Sequence, residues 1–483
     1  MSIRIAVLGA GQRAEDLCSH LLSMPHRGQV VAVTDPDPRR RELFGYIHGV
    51  PEERRYRDWR EFFTAGAGYD TVTGPGQGAP GSTAMEEGAP GSQARDVDAV
   101  LVSTMDRDHL EPAIAALEAG YHLLLEKPIV PTVDDLDRLE SAWEAAREFN
   151  DTIAGVVHPL RYGESFRALK ELVSSGRIGA VVTIDWLEQI GWWHFAHSYV
   201  RGNWRREDEA SFILLAKSCH DIDYLLHLVD RPVDRVSSFG GLHFFTPDHA
   251  PEGSTERCLD CPLEPDCPYS ALRWYLNTDR SRWPARAAAA DHDYDSHRQA
   301  LGTGPYGRCV WRCDNDAPDH QTVSLEFSGG ITATFTLTAF TARMARRGRI
   351  HGTTGEIDFD QDSLTIRDFA DGRETRVSFA GVGEGHADAD RYIIDRFLRA
   401  VEIGDQSVVS TGIPESAISH RVTFAAERAR REGRVARRSE WEERVPRRSK
   451  GKSGPSRYNA GGRQSSGGWQ SSSGRGPGER SRA

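Results

Sequence analysis

The sequence predicts two unlike domains in series: an α/β domain with a parallel sheet, then an α+β domain built on a large, mostly antiparallel open β-sheet. Three observations predict this. Short apolar runs alternate with helical stretches through about residue 152. A glycine-rich turn, Gly9-Ala10-Gly11-Gln12-Arg13-Ala14, separates the first run from the first helical stretch. Beyond about residue 155 long strand-like runs take over and helical patterns become few.

The elements follow in order. Arg4 to Leu8 reads as a short buried strand and Ala14 to Leu22 as a helix. Val30 to Asp35 is a second strand that ends in an acid, and Arg39 to Tyr46 is the next helix. Asp98 to Thr104 is a buried strand followed by a helix from His109 to Ala119. Tyr121 to Leu125 is apolar and runs into Glu126-Lys127-Pro128. Asp134 to Phe149 is helical, with Thr132 placed to cap its first turn. Strands alternating with helices at this spacing make right-handed crossovers and a parallel sheet. Residues 73–95 interrupt the pattern with Gly, Pro, Ala and Ser and repeat Gly-Ala-Pro-Gly-Ser, so they read as a flexible insertion.

In the second domain, residues 153–440, strands are expected over Val181 to Trp193, Val233 to Phe245, Thr322 to Phe327 and Thr332 to Phe340. Ser328-Gly329-Gly330 reads as a hairpin turn between the last two, and Thr353-Thr354-Gly355 as a turn within Ile350 to Phe359. One late helix is expected over 414–431. Residues 444–483 are Arg, Ser and Gly with almost no apolar side chains, and read as a disordered basic tail.

Composition narrows the function. The chain has 483 residues, enough for two or three domains, and a net charge of −11 argues against a nucleic-acid-binding body. No apolar run approaches the roughly 20 residues that span a bilayer. The first residues lack a cationic region, an apolar stretch and a cleavage site, so the expected location is the cytoplasm.

Glycine turns alone say little. Here the motif follows a strand, precedes a helix, and is followed by Asp35 at the end of the second strand, the context of a Rossmann NAD(P)-binding domain. Gly9 allows the tight turn, Gly11 lets a pyrophosphate approach the backbone, and Ala14 lets the helix pack closely. Gln12 and Arg13 open that helix, and Ser103 and Thr104 end a neighbouring strand, so all four are expected at the cofactor. Asp35 can accept hydrogen bonds from both ribose hydroxyls and would repel a 2′-phosphate, which favours NAD(H) over NADP(H); Arg39 and Arg40 keep NADP(H) open.

Lys127 is the strongest candidate for chemistry. It is a charged amine at the carboxyl edge of a parallel strand, where open α/β sheets bind ligands, and Pro128 restrains the backbone it leaves from. A second polar cluster runs from Lys217 to Tyr224 and contains His220, Asp221 and Asp223 at a helix start. Histidine titrates near neutral pH and suits a general base. Between the two lies Gly191 to Trp204, dense in aromatics with His194, His197, Arg201 and Trp204 as donors, which fits a polar ring-shaped ligand such as a sugar or cyclitol.

Together, Gly9 to Ala14, Glu126-Lys127-Pro128, the change to an antiparallel sheet and His220-x-x-Asp223 resemble the Gfo/Idh/MocA oxidoreductases, over roughly residues 1 to 435. The resemblance implies NAD(P) on the first domain, with Glu126 and Lys127 beside it and the nicotinamide facing the open sheet. Lys127 would contact both substrate hydroxyl and cofactor, and His220 would be the acid/base. It implies that Arg161 and Tyr162 line the substrate pocket, with Lys217 and Asp221 on the same substrate. It also implies a small-molecule sugar or polyol partner and a homo-oligomer formed through the sheet. Many members carry Asp four residues before the catalytic His; this chain has Ala216, followed by Lys217. Two alternatives stand beside the dehydrogenase: an NAD-assisted glycosidase working by transient oxidation and elimination, and a non-catalytic ligand-binding member of the fold.

The cysteines add one more expectation. Five of the seven fall in a Pro-rich insertion, residues 255–315, as Cys258-x-x-Cys261-x5-Cys267 and Cys309-x3-Cys313. Cys258, Cys261, Cys267 and one of the later pair, taken as Cys313, are the expected ligands of a structural Zn²⁺; an iron–sulfur cluster uses the same ligand type.

Overall fold

A computed structural model of the chain describes residues 2–65, 96–289, 291–379 and 387–442. The expected insertion at 73–95 and the basic tail at 444–483 lie outside the described residues.

Six strands form a parallel sheet: β1 (Ile3–Leu8), β2 (Gly28–Thr34), β3 (Arg55–Tyr56), β4 (Ala99–Val102), β5 (His122–Glu126) and β6 (Ala154–Val157). Their spatial order is β3-β2-β1-β4-β5-β6, with the reversal between β1 and β4. The side chains of β1 alternate as strand geometry requires. Ile3, Ile5 and Val7 enter one apolar cluster, and Ala6 and Leu8 enter the cluster on the opposite face. The helix caps are local: Asp37 accepts from the Arg39 N–H at the start of Pro38–His48, and Thr132 accepts from the Asp135 N–H at the start of Val133–Asn150.

Nine strands form the second sheet: β7 (Val181–Gln189), β8 (Val233–Gly241), β9 (His320–Phe327), β10 (Thr332–Thr338), β11 (Ala345–Gly352), β12 (Gly355–Asp360), β13 (Ser363–Asp368), β14 (Glu374–Ser378) and β15 (Ala436–Arg437). The order is β14-β13-β12-β11-β7-β10-β9-β8-β15. Only β7 and β10 pair in parallel; every other neighbour is antiparallel. The β9–β10 turn uses Gly329 and Gly330 at φ +94° and +81°, a conformation that side chains strain to adopt.

Two differences from the expected elements have plain causes. The strand expected to reach Trp193 stops at Gln189: Gly191 takes φ +87°, and Trp192–Phe195 turns helical before a π-helical turn, Ala196–Arg201. A helix at Ala387–Ile403, unexpected from the sequence, packs Ile393, Ile394, Phe397 and Leu398 into the core of the parallel sheet. The spacing of those residues is helical, and it was the charged residues between them that masked the apolar stripe. The late helix spans Ile413–Glu432 and contributes Ile413 and Ala417 to the first sheet's core and Val422, Ala425 and Ala429 to the second's. No helix among the described residues is long and apolar enough to cross a membrane.

Candidate active site

The first loop is built for a close approach by a ligand. Gly9 sits at φ +94°, and a Cβ there would lie 2.5 Å from the Ser103 carbonyl oxygen, so only glycine passes between β1 and β4. Gly11 caps the helix Gln12–Ser19, and a Cβ placed on it would meet nothing within 4 Å. The opening turn of that helix presents backbone N–H groups with no intrahelical acceptor. Asp35 is buried at the end of β2; its Oδ2 accepts from the Ala10 N–H at 2.8 Å and its Oδ1 from the Asp37 N–H at 2.8 Å. Sequence reasoning placed Asp35 at the cofactor; the structure shows that it also holds the glycine loop in shape.

The two motifs grip each other. Glu126 Oε1 accepts from Arg13 Nε at 2.8 Å and its Oε2 from the Lys127 N–H at 2.9 Å. Arg13 also makes a bidentate pair with Asp390 at 2.8 and 2.9 Å, so its guanidinium is spent within the fold and its position offers the loop its backbone. The peptide Lys127–Pro128 is cis. On either side of it, His109 Nδ1 donates to the Pro128 carbonyl at 2.7 Å and His420 Nε2 accepts from the Ile129 N–H at 3.1 Å. His420 Nδ1 donates to the Ser416 carbonyl at 2.8 Å, so the neutral ring uses both nitrogens. Burial, with no bond left for a second proton, holds His420 down at about 3. Neither histidine was picked out from the sequence; both lie far from Lys127 along the chain or one helix away.

Lys127 Nζ donates to the Ala216 carbonyl at 2.7 Å. Position 216, where the resemblance leads one to expect a carboxylate, therefore meets the lysine through its backbone. Ala216 lies in the first turn of the helix Ile213–Val229, and Lys217, His220 and Asp221 follow on one face at helical spacing.

Opposite that face stands a pair that sequence reasoning missed. Along β7, Ile184, Trp186 and Glu188 point inward; along β11, Arg346, Gly348 and Ile350 do. Glu188 and Arg346 are register partners, as are Trp186 and Gly348. A Cβ on Gly348 would lie 2.5 Å from the Trp186 ring, so glycine lets that indole lie flat across the strand. Trp186 Nε1 then donates to Asp221 Oδ1 at 3.1 Å. Arg346 reaches Glu188, Asp221 and His220: its Nη2 donates to His220 Nε2 at 2.6 Å and its Nε to Asp221 Oδ1 at 3.2 Å. Lys217 Nζ lies 3.2 Å from Glu188 Oε1. The signal for both residues was the strand period of two, which puts a charge on an otherwise inward face in each strand.

Five ionisable groups therefore share one buried cluster: Glu188, Lys217, His220, Asp221 and Arg346. Burial, joined by the charges of Arg346, Lys127 and Lys217, holds His220 well below the ordinary histidine value, so the imidazole is neutral at neutral pH. Because Arg346 donates to Nε2, the ring proton sits on Nδ1. Burial also lowers Lys217, with Arg346 and Lys127 adding to it against Glu188. Counting Lys127, the cluster holds three cations and two carboxylates.

Other expected site residues are engaged elsewhere. Arg161 forks onto Asp223 at 2.6 and 2.7 Å, and Tyr162 Oη bonds Thr411 Oγ1 at 2.9 Å, so both brace the helix and loop behind the cluster. His194 lies by the cluster and is held well below its usual value by burial, with Lys217 adding to it. Trp204 Nε1 donates to Asp106 at 3.1 Å. His197 bonds Tyr275 at 3.0 Å and Arg201 turns its guanidinium to the Tyr269 and Arg308 carbonyls, so these two face the cysteine segment and are not brought to Lys127. Nor does the structure assemble the expected zinc set: among the described residues no three His, Cys, Asp or Glu side chains are placed to hold a single metal ion. Cys313 turns its Sγ to the Cys309 carbonyl, 3.3 Å away.

A Rossmann sheet whose first loop is open at Gly11, with a half-buried lysine at a strand edge docked on a helix that carries a neutral histidine, followed by a large open sheet, is the architecture of nicotinamide-dependent oxidoreductases. A family model described as the oxidoreductase family, NAD-binding Rossmann fold, matches residues 3–153, and the GFO/IDH/MocA C-terminal domain matches residues 166–256. The chain belongs to the Gfo/Idh/MocA oxidoreductase family. It is 26% identical to YteT of Bacillus subtilis (strain 168) over 273 residues, 55% of this chain and 60% of that protein. It is 31% identical to the 1,5-anhydro-D-fructose reductase of Ensifer adhaerens over 175 residues, 36% of this chain and 48% of that one. The matches thus span about half to three-fifths of these relatives. The fold is also that of an oxidoreductase domain protein from Kribbella flavida, at TM-score 0.63 and 18% identity, covering 90% of this chain and 99% of that one.

Proposed function

We propose that this chain is an NAD(H)-dependent dehydrogenase that moves hydride between the nicotinamide and a carbinol or carbonyl carbon of a sugar, cyclitol or related polyol. The observation that carries the reading is the Lys127 amine docked on the helix that presents a neutral, buried His220, at the carboxyl edge of β5. The residues fit the cofactor: the loop at Gly11 leaves space that a Cβ would fill, and the helix start supplies N–H donors. Gly9, Gly11, Gln12 and Asp35 would hold it, with Ser103 and Thr104 at the next strand end. Asp35 would accept ribose hydroxyls and disfavour a 2′-phosphate, the basis for preferring NAD(H). When bound, the nicotinamide supplies the hydride acceptor.

The protein side does the rest. Lys127 places a positive charge where an alkoxide develops, and its hold on the Ala216 carbonyl keeps the amine in position. His220 takes the hydroxyl proton at Nε2 once a substrate oxygen displaces Arg346 Nη2 from that nitrogen. Arg346 has Glu188 and Asp221 to receive it. The surplus cation of the cluster favours an anionic oxygen over a neutral hydroxyl. Self-association through the outer face of the second sheet belongs to the same proposal.

The test is direct. Purified protein with NAD⁺ and a panel of polyols, inositols and aldoses should generate reduced nicotinamide with at least one member. NADP⁺ should serve markedly less well. Tight binding of a sugar with no reduced nicotinamide from any pair would overturn the reading and leave a ligand-binding protein. Release of an aryl aglycone with no net reduction would turn it into the NAD-assisted glycosidase.

A further inference from the structure

The proposed reaction uses none of the cysteines between residues 258 and 313. Backbone pairing draws them together. Arg257 and Arg308 form an antiparallel bridge, and the Cys309 N–H donates to the Glu256 carbonyl at 2.9 Å, which sets Cys258 beside Cys309. Two tight turns return the chain: the Cys261 N–H donates to the Cys258 carbonyl at 3.3 Å and the Cys267 N–H to the Glu264 carbonyl at 3.1 Å. Cys258, Cys261, Cys267 and Cys309 then line one cavity of about 200 Å³, together with Arg201 and Trp311.

A single zinc ion does not suit that arrangement. Zinc–sulfur bonds of about 2.3 Å pull four thiolates to within about 4 Å of one another. Here four cysteines border one cavity, and no three of the described ligand-type side chains converge on one point. A cubane cluster fills such a space, because each thiolate binds a different iron.

Arg201 supplies a second, independent observation. Arg201 is 1% exposed, yet no carboxylate pairs with it among the described residues. Nε donates to the Arg308 carbonyl at 2.8 Å, and Nη2 donates to the Tyr269 carbonyl at 2.8 Å and points at Cys258 Sγ at 3.6 Å. A buried cation without a counter-charge is costly. An iron–sulfur cluster held by four thiolates is anionic and would lie against this guanidinium.

We propose that Cys258, Cys261, Cys267 and Cys309 ligate a [4Fe–4S] cluster, with Arg201 as its counter-charge. Loading is ligand exchange: each thiol gives up its proton, its sulfur bonds one iron of a preformed cluster, and that iron releases its donor ligand, with no net oxidation or reduction. The cluster cross-links a segment whose own core is small: Cys258, Ala271, Tyr275, Leu276 and Leu301. That segment packs on the neighbouring wall through Trp274, stacked on Trp193 at 4.8 Å, and through Tyr275 on His197.

The full chain, purified without oxygen and reconstituted with ferrous iron and sulfide, should carry about four irons and four acid-labile sulfides. It should show broad visible absorption that bleaches on reduction. One zinc per chain without sulfide, or no retained metal, overturns the proposal, and this readout needs no variant to fold. Cys313→Ser should leave iron and sulfide unchanged, whereas Cys309→Ser should lose most of both; the opposite pattern overturns the ligand set. Arg201→Met should lower the cluster's reduction potential, since the cation stabilises the more negative reduced form. An unchanged potential removes Arg201 from its role.

Discussion

The nucleotide loop and the reacting centre are built from different materials. At the loop the protein offers backbone: the space above Gly11, the N–H groups of a helix start, and a turn held by Asp35 through the Ala10 N–H. At the reacting centre it offers side chains, with Glu188, Lys217, His220, Asp221 and Arg346 buried together. A backbone site tolerates changes to neighbouring side chains as long as the loop keeps its path. A buried charge cluster tolerates little, because removing one member leaves its partner uncompensated.

Substitutions at the reacting centre should therefore cost the most. Lys127→Met should lower kcat/KM by about a thousandfold, through loss of alkoxide stabilisation, with nucleotide binding retained in a fluorescence titration. A variant that kept near-normal turnover would take Lys127 out of the chemistry. His220→Gln should cost about a hundredfold and flatten the acid limb of the pH–rate profile. Arg346→Met should destabilise the fold by about 3–5 kcal/mol, read from denaturant unfolding. The surviving enzyme should show its acid limb at higher pH, because the cation that depresses His220 is gone. An acid limb that stays in place would separate Arg346 from the imidazole.

Two smaller effects sharpen the contrast. His197 and His420 are each held at about 3, against an ordinary 6.5. Between those values the unfolded chain binds protons that the folded chain does not. Stability is therefore full above the ordinary histidine value and falls as pH drops below it, by about 1.4 kcal/mol per histidine per pH unit. Thermal unfolding between pH 7 and 5 checks the sign. Asp35→Ser should shift preference toward NADP⁺ by about tenfold, seen as a change in the ratio of kcat/KM for the two nucleotides. A collapse of both would mean that the bond from the Ala10 N–H matters more than the ribose.

The same contrast explains what the sequence made legible. Gly9 to Ala14, Asp35 and Glu126-Lys127-Pro128 lie in contiguous motifs whose geometry is local, and the fold class followed from them and from the change of strand texture at about residue 155. Lys217, His220 and Asp221 were visible as one polar run on one helix. Glu188 and Arg346 were not, because they meet only through the β7–β11 register, which no local pattern fixes. Arg161 and Tyr162 were expected at a substrate; their bonds to Asp223 and Thr411 join segments distant in the chain and could not be read locally. Cys309 replaced Cys313 at the cavity because the Arg257–Arg308 bridge decides which later cysteine faces inward.

One contact has a bearing on how the chain is made. The helix Ala387–Ile403 closes one face of the parallel sheet, and its Asp390 grips Arg13 beside the glycine loop. The segment around Arg13 thus waits for one 377 residues further along the chain before its core is complete. Domains generally fold as units during synthesis; this one is completed only once the helix Ala387–Ile403 has been made. A chain stopped at residue 152 should be a poor nucleotide-binding fragment, exposed along the face that the returning helix covers.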